Sequence, residues 1–194
     1  MELYSQAIAR FQTLLAQARA ADLREPTAMS LATVNGDGQP SVRTVLLKHV
    51  DERGFVFYTN TTSRKGGQLG VRSRAALCFF WQPLMQQVLV EGAVAPVGNA
   101  EADAYWATRP RDSQLGAWAS LQSQPLVERA VLERRYAQYE REFANRPIPR
   151  PPHWSGYRVI PDMIEFWSSR PGRLHERERY YREQDRWQRM LIYP

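Results

Sequence analysis

The sequence is poor in cysteine and in long apolar runs. Its single cysteine, Cys78, cannot form a disulfide within one chain. Because it stands in an apolar stretch, we expect it to behave as a small buried hydrophobic residue. No segment approaches the roughly 20 consecutive apolar residues that a membrane-spanning helix needs, and the first residues lack the pattern of a secretory signal. We therefore expect a cytoplasmic protein that binds no membrane.

The motifs of several enzyme classes are missing as well. No cluster of cysteine and histidine has the spacing of a metal site, so we expect no bound metal. The glycine-rich patterns of dinucleotide-binding folds and of P-loops do not occur. The Gly-x-Ser-x-Gly turn of serine hydrolases is also missing. The sequence therefore gives no support to metal, P-loop or serine-hydrolase chemistry.

Positive charge is in moderate excess. The 194 residues carry a formal net charge of +6, from 26 Lys and Arg against 20 Asp and Glu. The basic residues are scattered in small groups, and arginine greatly outnumbers lysine, which suits fork-like contacts to phosphate and carboxylate. A solvated basic surface and sites for small anionic molecules explain this excess equally well, and nucleic-acid binding is the third alternative.

The spacing of apolar residues predicts an α+β fold in which a mainly antiparallel sheet closes wholly or partly into a barrel. We expect one domain, 1–194, with a helix at about 3–20, a helical insert at about 99–146 and C-terminal strands at about 155–194. The predicted strands are Met29–Val34, Ser41–Val50, Phe55–Thr59, Ala75–Trp81, Gln87–Val97, Gly156–Ile160, Met163–Ser168, Leu174–Tyr181 and Trp187–Tyr193.

Several strands and strand ends carry polar residues that a hydrophobic core would exclude. Arg43–Lys48 places a cation at each end of an apolar strand. Tyr58–Lys65 puts hydroxyl groups and cations after a strand end, where a loop can wrap a phosphate. Arg109–Gln114 and Ile164–Arg177 contain similar mixtures. Each segment alone is weak, because paired arginines are usually solvated.

Together these segments resemble the pyridoxamine 5'-phosphate oxidase family. The most specific match is Ile164–Ser168, followed after four residues by Arg173–Arg177, which looks like the C-terminal signature of that family. The resemblance covers most of the chain, from about residue 26 onward. It implies a homodimer of split β-barrel subunits whose FMN oxidises a phosphorylated B6 vitamer to pyridoxal 5'-phosphate. Dioxygen would then be reduced to hydrogen peroxide.

The resemblance also implies roles for individual residues. Contacts to FMN are expected from Arg43, Lys48, Tyr58, Thr59, Arg64, Lys65, Gln87, Gln122, Ser123, Trp167 and Arg177. Contacts to the substrate are expected from Lys48, Tyr105, Arg109, Ser113, Arg173 and His175. Arg173 and His175 would face the pyridine ring as the catalytic pair. Some members carry a longer basic N-terminal arm that closes over the substrate, and we expect this chain to lack it.

The residue pattern agrees with two phosphate sites. FMN and the substrate each carry a phosphate, and the chain supplies two sets of cations. In the second set, Tyr105, Arg109 and Ser113 are spaced to share one helix face. They do so only if the helix runs through Pro110, which more often begins a new turn.

Successive side chains of a strand point to opposite faces, and this strand parity limits which of these site residues can lie together. It places Arg43 and Lys48 on opposite faces of one strand, so a bulge, a twisted strand end or a site shared across a dimer interface is needed to bring them together. Parity also places Arg173, His175 and Arg177 on one face of a late strand. Both statements depend on where the strands begin and end.

Three alternatives remain open. A related flavin oxidase acting on another ring, such as a phenazine precursor, would keep the FMN set and lose part of the substrate-phosphate set. A non-catalytic FMN-binding protein needs neither the Arg173 and His175 pair nor a second phosphate site. A nucleic-acid-binding barrel needs exposed aromatic residues between its cations. Here Phe79, Phe80 and Trp81 lie in an apolar run and are expected in the core, so we expect no nucleic-acid partner.

Overall fold

The computed structural model describes residues 2–194 and shows one nine-stranded antiparallel sheet with five α-helices. The strands are β1 (Ala28–Val34), β2 (Pro40–Leu46), β3 (His49–Asp51), β4 (Gly54–Asn60), β5 (Arg74–Trp81), β6 (Gln86–Pro96), β7 (Trp154–Ser168), β8 (Glu176–Glu183) and β9 (Arg186–Leu191). The helices are α1 (Glu2–Ala20), α2 (Arg64–Val71), α3 (Asn99–Ala107), α4 (Arg111–Ala119) and α5 (Arg129–Glu142). None of these helices combines the length and apolar character that a membrane crossing requires.

The sheet branches at its longest strand. Its main order is β2–β1–β5–β6–β7–β4–β3, and β8 and β9 extend it from β7. β7 is 15 residues long. One edge of β7 pairs with β6, while the other pairs first with β4 and then with β8. The predicted fold class, a mainly antiparallel sheet with flanking helices, is confirmed.

β7 replaces two predicted strands, Gly156–Ile160 and Met163–Ser168. Pro161 and Asp162 do not interrupt it, because the register with β6 shifts by one residue next to Gly92. Such a bulge absorbs the extra residue and leaves it unpaired. Proline is tolerated at a bulge because its missing N–H costs no ladder hydrogen bond there.

The predicted strand Ser41–Val50 is also wrong, because the chain leaves the sheet ladder at Leu47 and Lys48. The backbone changes partner at this point. The N–H of Leu47 donates to the carbonyl of the residue before β1 (2.9 Å), and that of Lys48 donates to the Val56 carbonyl of β4 (2.8 Å). Strand parity does not extend across this break, so Arg43 and Lys48 can face one space within a single chain.

Helix α1 covers one side of the sheet with its apolar face. Its buried residues recur at helical spacing and are Ala7, Ile8, Phe11, Leu15 and Ala18. The ring of Phe11 meets the edges of Phe55 and Phe79, with ring centroids 4.8 Å and 4.9 Å apart. Such edge-to-face contacts stabilise aromatic packing beyond simple burial, and they join α1 to β4 and β5.

β5 alternates between this core and the opposite side of the sheet. Phe79 and Trp81 are buried as expected, but Phe80 is 52% exposed. Cys78 shares the side of Phe80 and is only half-buried, and this burial raises the pKa of its thiol. The expectations for Phe80 and Cys78 were wrong because an apolar run was taken to be buried on both faces, whereas successive side chains point to opposite sides.

The start of α2 depends on a glycine, and this gives a stability prediction. Ser63 caps the helix by accepting a hydrogen bond from the Gly66 N–H (3.4 Å). A β-carbon at Gly66 would overlap the carbonyl of Thr61, whereas one at Gly67 would meet nothing within 4 Å. We expect Gly66→Ala to lower the free energy of unfolding by about 1–3 kcal/mol because the backbone must shift. The Gly67→Ala control should stabilise the protein slightly, since alanine favours helices by up to about 1 kcal/mol. Urea unfolding measures both, and equal midpoints for the two variants would contradict the close contact.

Candidate functional site

A cavity of about 610 Å³ lies between β2, β4 and the helices α3 and α4. It is the larger of the two cavities described for residues 2–194. Nine of the residues predicted to form a site line it together, although they come from five different elements and their connections. They are Arg43, Lys48, Tyr58, Thr59, Lys65, Tyr105, Arg109, Ser113 and Gln122.

The cavity is positively charged and has no carboxylate in its lining. Four cations, Arg43, Lys48, Lys65 and Arg109, face it, and no Asp or Glu does. None of the four forms an ion pair with another residue in the part of the chain that the structure describes. The sequence contains two lysines, and both line this cavity. Cations gathered without acidic partners are the arrangement that binds phosphate or carboxylate ligands.

Arg43 is the first cation of one group. On β2 its guanidinium donates to Thr33 and to Ser41, both at 2.5 Å, and to the Leu31 carbonyl at 3.2 Å. These acceptors are neutral, so they orient the side chain without cancelling its charge. Burial, and then the nearby charge of Arg64, lowers the pKa of Arg43.

Lys65 is the second cation of this group and stands in the first turn of α2. Its ammonium donates to the Gln122 side chain (2.8 Å), the Thr59 hydroxyl (3.1 Å) and the Ser63 hydroxyl (3.3 Å). Burial, and then the charge of Arg43, lowers the pKa of Lys65. Because the charge of Arg43 disfavours the protonated form of Lys65, an anion lying between the two cations would stabilise both.

Tyr105, Arg109 and Ser113 form the other side of the cavity. They do not share a helix, because α3 ends before Arg109 and Pro110 precedes the first residue of α4. The helix therefore does not run through Pro110, as expected, although the helix α4 that follows was not predicted. The Arg109 guanidinium donates to the Ser113 carbonyl (3.0 Å), and its burial lowers its pKa.

Trp154, the first residue of β7, is a cavity residue that the sequence analysis missed. Its ring lies 4.8 Å from the Arg109 guanidinium and stacks on Tyr58 at 5.2 Å. Tyr58 stacks in turn on Tyr105 at 4.1 Å. Gly156 stands opposite Tyr58 in the sheet, and a β-carbon there would lie 2.7 Å from the Tyr58 ring. The sequence signal that could have identified Trp154 is an aromatic residue two positions before the glycine that begins a predicted strand.

The other seven predicted site residues do not line this cavity. They are Arg64, Gln87, Ser123, Trp167, Arg173, His175 and Arg177. Arg64 and Ser123 are each next in sequence to a lining residue and are exposed. Gln87, Trp167 and Arg177 are directly opposite one another across β6, β7 and β8. They form a second group with His175, whose ring centroid lies 4.7 Å from that of Trp167.

Arg173 and His175 precede β8 and do not belong to it. A short 3-10 turn over Pro171–Arg173 contains positive φ values at Gly172 and Arg173, and β8 begins only at Glu176. The prediction that residues 173, 175 and 177 share one strand face is therefore wrong, because the turn ends the alternation. The backbone N–H of Arg170 donates to Nδ1 of His175 (3.2 Å), so the neutral ring carries its proton on Nε2.

Arg177 is held by a residue to which the sequence analysis gave no role. Glu165, on β7, is 1% exposed, and Arg177 donates to it through Nε at 2.8 Å and Nη2 at 2.7 Å. Arg179 donates to the other carboxylate oxygen at 2.9 Å. The sequence signal that could have identified Glu165 is an acidic residue within an otherwise apolar strand.

Comparisons with known proteins cover almost the whole chain. Residues 15–141 match the family model described as pyridoxamine 5'-phosphate oxidase. Residues 154–194 match the model described as the pyridoxine 5'-phosphate oxidase C-terminal dimerisation region. Two relatives named pyridoxine/pyridoxamine 5'-phosphate oxidase are each 56% identical to the chain. The one from Myxococcus xanthus aligns over 96% of this chain and 91% of its own length, and the one from Alkalilimnicola ehrlichii over 100% of both.

Solved structures give the same fold. PhzG from Burkholderia lata 383, in complex with tetrahydrophenazine-1-carboxylic acid, is 35% identical, with a TM-score of 0.92 over 96% of this chain and 92% of that protein. A pyridoxamine 5'-phosphate oxidase-related, FMN-binding protein from Nostoc punctiforme is 20% identical, with a TM-score of 0.78 over 96% of both chains. The split-barrel fold expected from the sequence is confirmed.

Proposed function

The chain belongs to the pyridoxamine 5'-phosphate oxidase family, and on that premise we propose that it oxidises pyridoxine or pyridoxamine 5'-phosphate to pyridoxal 5'-phosphate with FMN and dioxygen. One observation carries this proposal. A single cavity gathers four cations in two groups and has no carboxylate in its lining. Two phosphorylated ring molecules, FMN and the vitamer, need such a pair of cationic groups.

The residues of the cavity fit FMN. Arg43 and Lys65, with Arg64 beside them, form the group that would hold its phosphate, because their charges have only neutral protein partners. The rest of the cofactor would lie against Tyr58, Thr59, Gln122 and Ser123. Lys48 also lines the cavity and is assigned to both ligands. A cavity of about 610 Å³ lies within the size range of small-molecule sites.

We assign the second group of site residues to the cavity of the other subunit in a homodimer. Trp167, Arg173, His175 and Arg177 all lie in the segment that matches the dimerisation region, and none of them lines the cavity of its own chain. A dimer that brings each second group to the opposite cavity would give two complete sites. We assign Gln87 to the same site as Trp167, because the two residues are paired in the sheet.

The chain's own residues provide binding, orientation and charge stabilisation. Bound FMN would supply the two-electron oxidation of the vitamer, with dioxygen as the final electron acceptor and hydrogen peroxide as the product. Lys48, Tyr105, Arg109 and Ser113 hold the substrate phosphate. His175 would present its Nε2 proton and Arg173 its guanidinium to the ring, where they would orient the C4' hydrogen for transfer. No covalent nucleophile is required.

Titration with two flavins tests the cofactor assignment. We expect the protein to purify yellow and to bind riboflavin at least about 100-fold more weakly than FMN, because each charge-assisted hydrogen bond to phosphate contributes about 1.5–3 kcal/mol. Arg43→Gln should reduce this preference. The matched control is Arg74→Gln, which removes an exposed arginine that is paired with Asp162 (2.5 Å). Equal affinities for the two flavins would refute the phosphate site.

The similarity to PhzG raises a second candidate, a flavin oxidase acting on a phenazine precursor. The vitamer is favoured because four residues suited to its phosphate, Lys48, Tyr105, Arg109 and Ser113, line the same cavity. The two candidates are separated by mixing the protein, without oxygen, with pyridoxine 5'-phosphate or with an unphosphorylated ring carboxylic acid. Bleaching of the flavin absorbance by the acid alone would favour the second candidate.

A further inference from the structure

We propose that Glu165 is a positioning residue that fixes the guanidinium of Arg177 in the flavin site of the dimer. The inference rests on the proposed function, in which Arg177 contacts FMN. It goes beyond that function because it assigns a task to a buried carboxylate that contacts no ligand itself. The argument begins with the burial of this acid.

The carboxylate of Glu165 is buried in the sheet and is fully paired. It stands on β7 between the core residues Ile164 and Phe166 and points to the opposite side of the sheet, where it is 1% exposed. A buried carboxylate is costly unless charged donors occupy its oxygens. Arg177 occupies Oε1 and Arg179 occupies Oε2. Both oxygens are therefore used in orienting arginines.

The two arginines reach this acid in different ways. Arg179 is directly opposite Glu165 in the β7–β8 ladder, so a short, straight contact is enough. Arg177 is opposite Trp167 and must lean along the strand by two residues to reach the same carboxylate. This lean is a specific geometry that a free arginine would seldom adopt, because its side chain has many rotamers. Glu165 therefore selects the direction in which Arg177 points.

A second contact holds the other edge of the same guanidinium. Nε and Nη2 of Arg177 are used by Glu165, while Nη1 donates to the backbone carbonyl of Tyr193 (3.2 Å). The planar group is thus fixed in position and in rotation. Sites whose ligand-contacting side chains are locked by a supporting layer of hydrogen bonds bind more tightly than sites that must order those side chains.

The opposite side of β8 supplies a matched control. Glu178 also pairs with two arginines, Arg10 and Arg189. It therefore forms a three-charge cluster of the same composition, one carboxylate and two guanidinium groups, with the carboxylate on β8. The Glu178 cluster joins β8 to α1 and β9 and contacts none of the predicted site residues. A purely structural effect of losing a paired carboxylate should appear in both clusters, whereas an effect on the flavin should appear only at Glu165.

The experiment measures FMN release from the purified holoenzyme by the rise in flavin fluorescence on serial dilution. We expect Glu165→Gln to raise the FMN dissociation constant about 10–100-fold, by analogy with the loss of a residue that orients a metal ligand. Glu165→Asp should fall between wild type and Glu165→Gln, because it keeps the charge at a shorter reach. Glu178→Gln should leave FMN affinity unchanged. Sedimentation velocity checks that each variant remains a dimer.

Combined variants separate this inference from the proposed function. If Arg177→Lys leaves FMN affinity unchanged, the placement of Arg177 in the flavin site is wrong. If Arg177→Lys weakens FMN but Glu165→Gln does not, the function stands and the positioning role is overturned. We expect the double variant to bind FMN no more weakly than Arg177→Lys alone, since coupled residues are non-additive; independent, additive losses would also overturn the role. If Glu165→Gln gives no folded dimer, the same cycle is run with Glu165→Asp.

Discussion

We expect the replacement of Arg173 or His175 with alanine to lower the rate at which pyridoxine 5'-phosphate reduces the bound flavin by about 10²–10³-fold, the typical cost of losing one positioned donor. FMN affinity should not change. The reason is position, since both residues lie in the turn before β8, outside the cationic groups that would hold either phosphate. Nδ1 of His175 already accepts a hydrogen bond from the Arg170 N–H, so only Nε2 would be available to the substrate.

Stopped-flow absorbance of the bound flavin, recorded without oxygen, measures this rate directly. The control is Arg170→Ala, which removes an exposed guanidinium paired with Glu176 but keeps the backbone N–H that orients His175. Arg170→Ala should reduce the flavin at close to the wild-type rate. If Arg173→Ala and His175→Ala also do so, the proposed catalytic pair is wrong.

Replacing Arg109 with glutamine has a different kinetic signature. We expect KM for pyridoxine 5'-phosphate to rise about 10–100-fold, because a charge-assisted hydrogen bond to phosphate contributes about 1.5–3 kcal/mol. The turnover number should change little, since a phosphate contact is equally strong in the ground state and the transition state. Arg109→Lys should recover only part of the loss, because lysine keeps the charge but not the planar group that lies over Trp154.

The matched control for Arg109 is Arg111→Gln. Arg111 begins α4 two residues later and donates to the carbonyls of Phe143 (2.7 Å) and Arg146 (3.2 Å), away from the cavity. Steady-state kinetics should give a wild-type KM for this variant. A fall in turnover at Arg109→Gln with an unchanged KM would contradict its role in holding the phosphate.

Local rules were sufficient where neighbouring residues decided the structure. The first helix follows from the spacing of residues such as Ile8, Phe11 and Leu15, which are buried together. The break between α3 and α4 at Pro110 follows from the chemistry of proline. The family motifs also identified nine residues that line one cavity. These motifs can be identified from residue types and their spacing alone, without knowledge of the fold.

Errors arose where a contact distant in sequence decided the outcome. Lys48 leaves the β1–β2 ladder because its N–H donates to the Val56 carbonyl of β4. The residues around Lys48 in the sequence do not predict that partner. Trp154 lies at the cavity because β7 pairs with β4, which places it opposite Asn60 and stacks its ring on Tyr58. Glu165 was visible only as an acid among apolar residues, and its two arginines come from a strand that pairs with β7 later in the chain.

The sequence by itself determined the antiparallel fold, the family and the residue types proposed to bind two phosphates, because each depends on short sequence patterns. Only the tertiary structure decided how these residues divide between the cavity and the second group on β6, β7 and β8. The physical reason is that strand pairing fixes which distant residues share a face. The same pairing joins Arg177 to Glu165, a contact set by the register of two strands and by nothing local to either residue.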